Sequence, residues 1–237
     1  MRFKRGGSAV QIAWANNTFL QVIEYIAVFG CGMVAGSAPV RRGYDITAII
    51  IASWLTALGG GIIRDVMLGV PPVGVNDKGL VLTALASGIA MAFIYPEVDE
   101  LRWSMLTLDA LAMALFAVEG TAKALTLGSS GMTAAFMGMF TALGGGLIRD
   151  TLINKVPMII ADKHWYFVPA AVGCVCTVGI CRMTQHGIIG IQAEMALELV
   201  TVALVVTLRL LSVKFDIAVP GAITRSHVYL PGEDHRR

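Results

Sequence analysis

One ten-residue phrase occurs twice in the chain: Thr-Ala-Leu-Gly-Gly-Gly-Ile-Ile-Arg-Asp at Thr56–Asp65, and the same phrase with one Ile replaced by Leu at Thr141–Asp150. The copies are 85 residues apart, and Glu24 and Asp109, each an acid inside an otherwise apolar stretch, keep that offset. A fixed offset carried by unlike features marks a duplicated unit. Each glycine weakens a helix interior by about 1 kcal/mol relative to Ala. Three in a row, at Gly59–Gly61 and Gly144–Gly146, therefore predict a break inside each apolar helix, with Arg64-Asp65 and Arg149-Asp150 about one turn beyond it. The two broken helices are the expected seat of function.

Only 14% of the 237 residues are charged and 56% are hydrophobic, whereas a soluble domain has about 25% charged residues. The expectation is an all-α protein of the cell (inner) membrane. A net charge of +2, dispersed along the chain, gives no nucleic-acid surface. A bilayer core of about 30 Å needs roughly 20 apolar residues per helix. That criterion predicts seven spans: Thr18–Ala38, Ile46–Leu68, Leu80–Tyr95, Met105–Leu127, Met132–Ile153, Phe167–Met183 and Ile188–Leu211. Trp14, Tyr44, Tyr95, Trp103, Trp165 and Tyr166 fall at their ends, as an interfacial belt would have them. Pro71-Pro72 and Pro157 follow the two signatures and end those spans.

The organisation read from this is a lead-in (1–17), a first repeat of three spans (18–95), a second (105–183), one extra span (188–211) and a polar tail (212–237). An odd number of crossings per unit inverts the second copy. Inverted repeats in transport proteins carry their site at the repeat interface, lined by broken helices. With the amino end outside, the inner side collects ten Lys and Arg outside the signatures and the outer side six, which favours a cytoplasmic carboxyl end.

The charges inside the spans need partners or water. Sequence neighbours on a helix point about 100° apart, so Arg64 and Arg149 are expected to pair across helices, plausibly with the aspartate of the other repeat, Asp150 or Asp65. They form either a polar gate or a bridge fastening the units together. Glu119 and Lys123, four apart, suit a helical ion pair, and Lys123 has a second option at a pore mouth or a lipid headgroup. Glu24 and Asp109 sit deeper. Ser53, Thr56 and Thr141 either line a pore with hydroxyls or bond back to their own helix. Cys31, Cys174, Cys176 and Cys181 read as small buried hydrophobes. The four histidines are scattered, so no metal site, no other cofactor and no enzyme constellation is expected.

Three plus three spans and one more, with Gly-Gly-Gly-x-x-Arg-Asp in the second and fifth, resemble the trimeric intracellular cation (TRIC) channels, in particular the prokaryotic members, over about Thr18–Leu211. The resemblance implies a homotrimer in which each subunit has its own pore, formed by the two glycine-kinked helices and passing monovalent cations such as K⁺. Animal members carry a Lys-Glu-Val motif tied to a phosphoinositide lipid. Glu119-Gly120-Thr121-Ala122-Lys123 occupies that region without reproducing it. The same two-copy domain is similar to bacterial proteins that move small amino acids such as glycine, so a carrier of a small zwitterion is the second expectation.

Overall fold

The computed structural model describes residues 18–94 and 102–218. The lead-in 1–17, Trp14, Tyr95 and the tail beyond 218 lie outside the described residues. Nine α-helices are present among those described: α1 (Thr18–Val40), α2 (Ile46–Met67), α3 (Val73–Asn76), α4 (Lys78–Ile94), α5 (Arg102–Thr126), α6 (Gly131–Leu152), α7 (Met158–Ala161), α8 (Phe167–Gln185) and α9 (Ile191–Lys214). Six of them, α1, α2, α5, α6, α8 and α9, are long and apolar enough to cross a membrane. The third expected span, Leu80–Tyr95, corresponds to α4, apolar but only 17 residues long. The chain is an all-helical, multi-pass membrane protein.

The duplication reaches down to the capping groups. Asp45 caps α2 by accepting from the Ala48 N–H at 2.9 Å, and Ser130, at the same 85-residue offset, caps α6 through the Thr133 N–H. Both helices end in a left-handed residue, Gly69 and Asn154, the two residue types that enter that region at least cost. The Val70 and Lys155 N–H groups then close equivalent bonds to the Asp65 and Asp150 carbonyls. Pro72 and Pro157 do not simply stop a span; each opens a one-turn helix, α3 and α7, that the sequence reading treats as loop.

α1, α2 and α4 pack on one another, as do α5, α6 and α8, and the two groups meet through α2–α6 and α1–α5. α5 is the most enclosed helix, with Ala110 and all of Ala112–Val118 buried. α9 lies outside both groups, against α5 and α8.

The expected helix breaks are absent. α2 and α6 run uninterrupted through Gly59–Gly61 and Gly144–Gly146, because what a glycine triplet loses in propensity can be recovered by packing. A methyl group on Gly60 would stand 2.3 Å from the Thr141 carbonyl oxygen, and one on Gly145 would stand 1.9 Å from the Thr56 carbonyl oxygen. These contacts are reciprocal under the 85-residue shift, which is how two copies of one surface meet across a twofold. Removing the side chains lets the two backbones touch.

Candidate functional site

The site grows out of this crossing. One turn past the glycines, Arg64 and Asp65 are buried, as are Arg149 and Asp150. Neither arginine meets the aspartate of the other repeat, and of the two only Arg64 has a carboxylate partner across helices among the described residues, Glu119. Each pairs with its own neighbour: Arg64 Nε to Asp65 Oδ1 at 2.9 Å, Arg149 Nε to Asp150 Oδ1 at 2.8 Å. The turn that follows explains why. Asp65 Oδ2 accepts the Val73 N–H at 3.0 Å and Asp150 Oδ2 accepts the Met158 N–H at 2.9 Å. The aspartate is thus fixed over the first turn of α3 or α7, and the long arginine folds back to reach it despite the angular separation.

Glu119 and Lys123 do not form the helical ion pair. Both reach from α5 to α2: Arg64 Nη1 donates to Glu119 Oε1 at 2.9 Å, and Lys123 Nζ lies 2.9 Å from Asp65 Oδ1. Four charges interlock. The second half carries less: Arg149 has Asp150 and a 3.9 Å contact to the Met158 sulfur. Glu24 faces the first group, with Glu119, Arg64, Lys123 and Asp77 as its charged neighbours. Asp109 faces Arg149, and its Oδ2 makes no hydrogen bond among the described residues.

Four cavities follow this line of residues. An outer cavity of about 380 Å³ is lined by Glu24, Asp77, Glu119 and Lys123. It shares Glu24 and Glu119 with an inner one of about 30 Å³, which holds Arg64, Phe116 and Thr141. A second inner cavity of about 20 Å³ also contains Phe116 and Thr141, together with Thr56, Asp109, Arg149 and Tyr166. Asp109 continues into the largest, about 680 Å³, lined further by Asp162, His164 and Arg209. Each inner cavity has room for about one water.

Thr56 and Thr141 therefore face cavities, yet their hydroxyls bond back to Ala52 O and Met137 O at 2.6 and 2.7 Å. Ser53 leaves the line altogether. It packs against Gly36 of α1 and Gly88 of α4. Tyr166 is buried over Arg209, 4.6 Å from its ring centre, rather than in an interfacial belt.

The sequence reading passes over Asp77 and Asp162, although they keep the 85-residue offset. Asp77 Oδ1 accepts the Gly79 N–H at 2.8 Å and Asp162 Oδ1 the equivalent His164 N–H at 3.0 Å. It also passes over Glu194, Glu198 and Arg209, ionisable residues inside an apolar helix, which is itself a signal of function. Arg209 donates to Asp162 Oδ2 at 2.8 Å. His164 bridges Asp162 and Asp216 through its two ring nitrogens at 2.7 and 2.9 Å. Burial alone would raise the Asp162 carboxyl, but the His164 N–H, Arg209 and the His164 ring hold it below its ordinary range. The bond to Asp162 lifts His164 above its ordinary 6.5 against partial burial, and Asp216 adds to this.

The fold and these paired polar lines define a duplicated polytopic membrane protein whose two units meet at a close helix crossing. The chain belongs to the glycine transporter family, whose sequence model matches residues 21–96 and, a second time, residues 106–182. A UPF0126 membrane protein of Deinococcus radiodurans is 31% identical over 154 residues, 64% of this chain and 71% of that one. Among solved structures, a TRIC cation channel superposes with a TM-score of 0.77 at 24% identity, covering 87% of this chain and 98% of its own. The TRIC trimeric intracellular cation channel orthologue from Rhodobacter sphaeroides gives 0.76 at 25% identity, covering 85% and 100%.

Proposed function

We propose that the protein conducts monovalent cations such as K⁺ along the line of four cavities, with α2 and α6 as the principal walls and a separate pathway in each subunit of a homotrimer. The observation that carries this reading is the charge count along the line. In the first half Arg64 and Lys123 are offset by Asp65 and Glu119, and in the second Arg149 is offset by Asp150. Glu24 and Asp109 remain, one facing each inner cavity. A half-buried acid in excess of the paired charges favours a cation beside it, and each inner cavity is lined by one such acid, Glu24 or Asp109.

Supporting the architecture, the contacts at the crossing are reciprocal, and each unit supplies three apolar helices, α1, α2 and α4 or α5, α6 and α8. If α4 crosses the membrane as its counterpart α8 does, the units are inverted repeats with bounds near 18–95 and 105–183. α9 is then the extra span and the carboxyl end is cytoplasmic. The proteins with the same fold include a trimeric cation channel, which supports the trimer.

A second reading, a carrier for a small zwitterion such as glycine, is favoured by the family model's name and by the division of the line into two small inner cavities that meet at Phe116 and Thr141. Planar-bilayer recording of purified protein in a K⁺ gradient separates the two. Discrete conductance steps with a cation reversal potential, reduced in selectivity by Glu24→Gln or Asp109→Asn, support the channel. A silent bilayer with counterflow of labelled glycine in liposomes refutes it in favour of the carrier.

A further inference from the structure

α9 carries two glutamates one turn apart, Glu194 and Glu198, and both are sealed from solvent, at 0% and 1% exposure. Cys181, near the carboxyl end of α8 and likewise fully buried, meets them. Its Sγ stands 3.7 Å from Glu198 Oε1, and one ligand atom from each of the three residues lies within 4.8 Å of the others. An acid cluster beside a thiol is not in itself a site. The independent observation is that neither carboxylate oxygen of the fully buried Glu194 has a hydrogen-bond partner among the described residues. A buried carboxylate left bare costs several kcal/mol, and the conducting line proposed above makes no use of it: none of its four cavities is lined by these residues.

We infer that Cys181, Glu194 and Glu198 form a three-ligand site for a borderline divalent cation of the Zn²⁺ type, joining α8 to α9. The donor set selects the metal. Mg²⁺ and Ca²⁺ take oxygen ligands and do not use a thiolate, while Cu⁺ is served by thiolates and thioethers rather than by two carboxylates. Zn²⁺ accepts both kinds of donor, with Zn–S near 2.3 Å and Zn–O near 2.0–2.2 Å in a tetrahedral shell, which sets sulfur and oxygen about 3.5 Å apart. The Cys181–Glu198 separation is already close to that value. Three protein ligands leave one corner for water. A dication cancels two of the three negative charges that the deprotonated ligands carry. Because α9 stands outside the duplicated units, the metal would act as a staple holding this helix to α8 just below the 186–190 turn.

The site is tested on the whole purified protein, stripped with chelator and titrated with Co²⁺ as a spectroscopic probe. The expected result is one Co²⁺ per protomer, with a thiolate-to-cobalt charge-transfer band and the intense visible bands of a tetrahedral centre. Zn²⁺ should displace it and raise the melting temperature. Cys181→Ser should abolish the charge-transfer band and Glu194→Gln should weaken binding at least about tenfold, whereas Cys176→Ser should leave both unchanged. Because the wild-type titration stands without any variant, absence of a stoichiometric band in folded wild type overturns the inference. So does the same band in Cys181→Ser. Conductance in the presence of chelator reads the pathway separately, so failure of the metal site and failure of the channel reading are distinguishable.

Discussion

The middle glycine of each triplet should be the irreplaceable one, and its neighbour should not be. Alanine at Gly145 sets a methyl group 1.9 Å from the Thr56 carbonyl oxygen, and at Gly60 2.3 Å from that of Thr141. Ordinary contact requires the helices to part by roughly 1–1.5 Å, and backbone atoms in two packed helices cannot rotate aside as a side chain can. Overpacking of this kind costs ~1–3 kcal/mol, and the lack of any yielding atom places these two sites at or above the upper end. Against this, Ala gains ~1 kcal/mol of helix propensity over Gly, for a net loss of about 2 kcal/mol. At roughly 2–4 °C per kcal/mol for a chain of this size, the melting temperature falls by roughly 4–8 °C. The controls sit one residue on. At Gly61 the nearest atom to a new methyl is the mobile Arg64 Nη2 at 3.7 Å, and at Gly146 it is the Tyr166 hydroxyl at 4.0 Å. Only the propensity gain applies there, and melting should rise by roughly 2–4 °C. Thermal melts of the four variants in detergent, followed by tryptophan fluorescence, decide the matter. Equal shifts at all four positions would refute close packing as the reason for the glycines and restore the broken-helix reading.

Phe116→Ala removes the one aromatic side chain common to both inner cavities and should raise basal K⁺ flux in liposomes; unchanged flux would put the barrier elsewhere. Asp150→Asn strands Arg149 and should cost about 3–5 kcal/mol, while Glu119→Gln leaves Arg64 its bond to Asp65 and should cost about 1–3 kcal/mol; denaturation midpoints in the reverse order would contradict this geometry. The bridge from His164 to Asp162 and Asp216, with Arg209 on the far side of Asp162, should be pH-dependent. The His164 pKa is raised on folding, so its contribution is complete below about pH 6.5 and fades as pH rises through the higher folded value. Asp162, held low, keeps its own contribution until strongly acid pH. Melting should therefore be higher near pH 6 than near pH 8, and His164→Asn should flatten that difference.

What the sequence disclosed and what it hid divide along a physical line. The 85-residue offset ties Asp45 to Ser130, Gly69 to Asn154 and Asp77 to Asp162, so these capping and turn residues were open to reading from one chain. Helix propensity misled at the triplets because it describes an isolated helix. The two backbones that make glycine necessary there are 85 residues apart, and propensity carries no trace of the partner. The pairing of each arginine with its own neighbour escaped for a related reason. The 100° rule holds for short side chains on a bare helix, whereas Asp65 and Asp150 are first fixed by N–H groups eight residues ahead, in turns that only the fold reveals. Phe116 gave no signal at all, being one apolar residue among many in α5.

The same offset exposes a difference between the halves that bears on mechanism. Glu119 and Lys123 on α5 correspond to Val34 and Ala38 on α1, and Phe116 corresponds to Cys31. The Arg64 half thus draws an acid and a base from the other unit, while the Arg149 half draws neither. A carrier built on inverted repeats alternates by letting each unit adopt the other's conformation, and that exchange is easy only if the two arrangements have similar energies. Here the exchange would separate Glu119 and Lys123 from Arg64 and Asp65 without offering equivalent partners. Breaking one such buried pair costs about 3–5 kcal/mol, which would keep the exchanged state below about 1% of the population. A local barrier at Phe116, by contrast, opens by moving one ring between two cavities that already abut it, and leaves every ion pair in place. On the proposed inverted arrangement the charges therefore favour a fixed pathway with a small gate over alternating access, and double-mutant cycles between Arg64 and Glu119, measured on both stability and flux, test that step. A coupling energy near zero would remove the obstacle to exchange and return the carrier to equal standing.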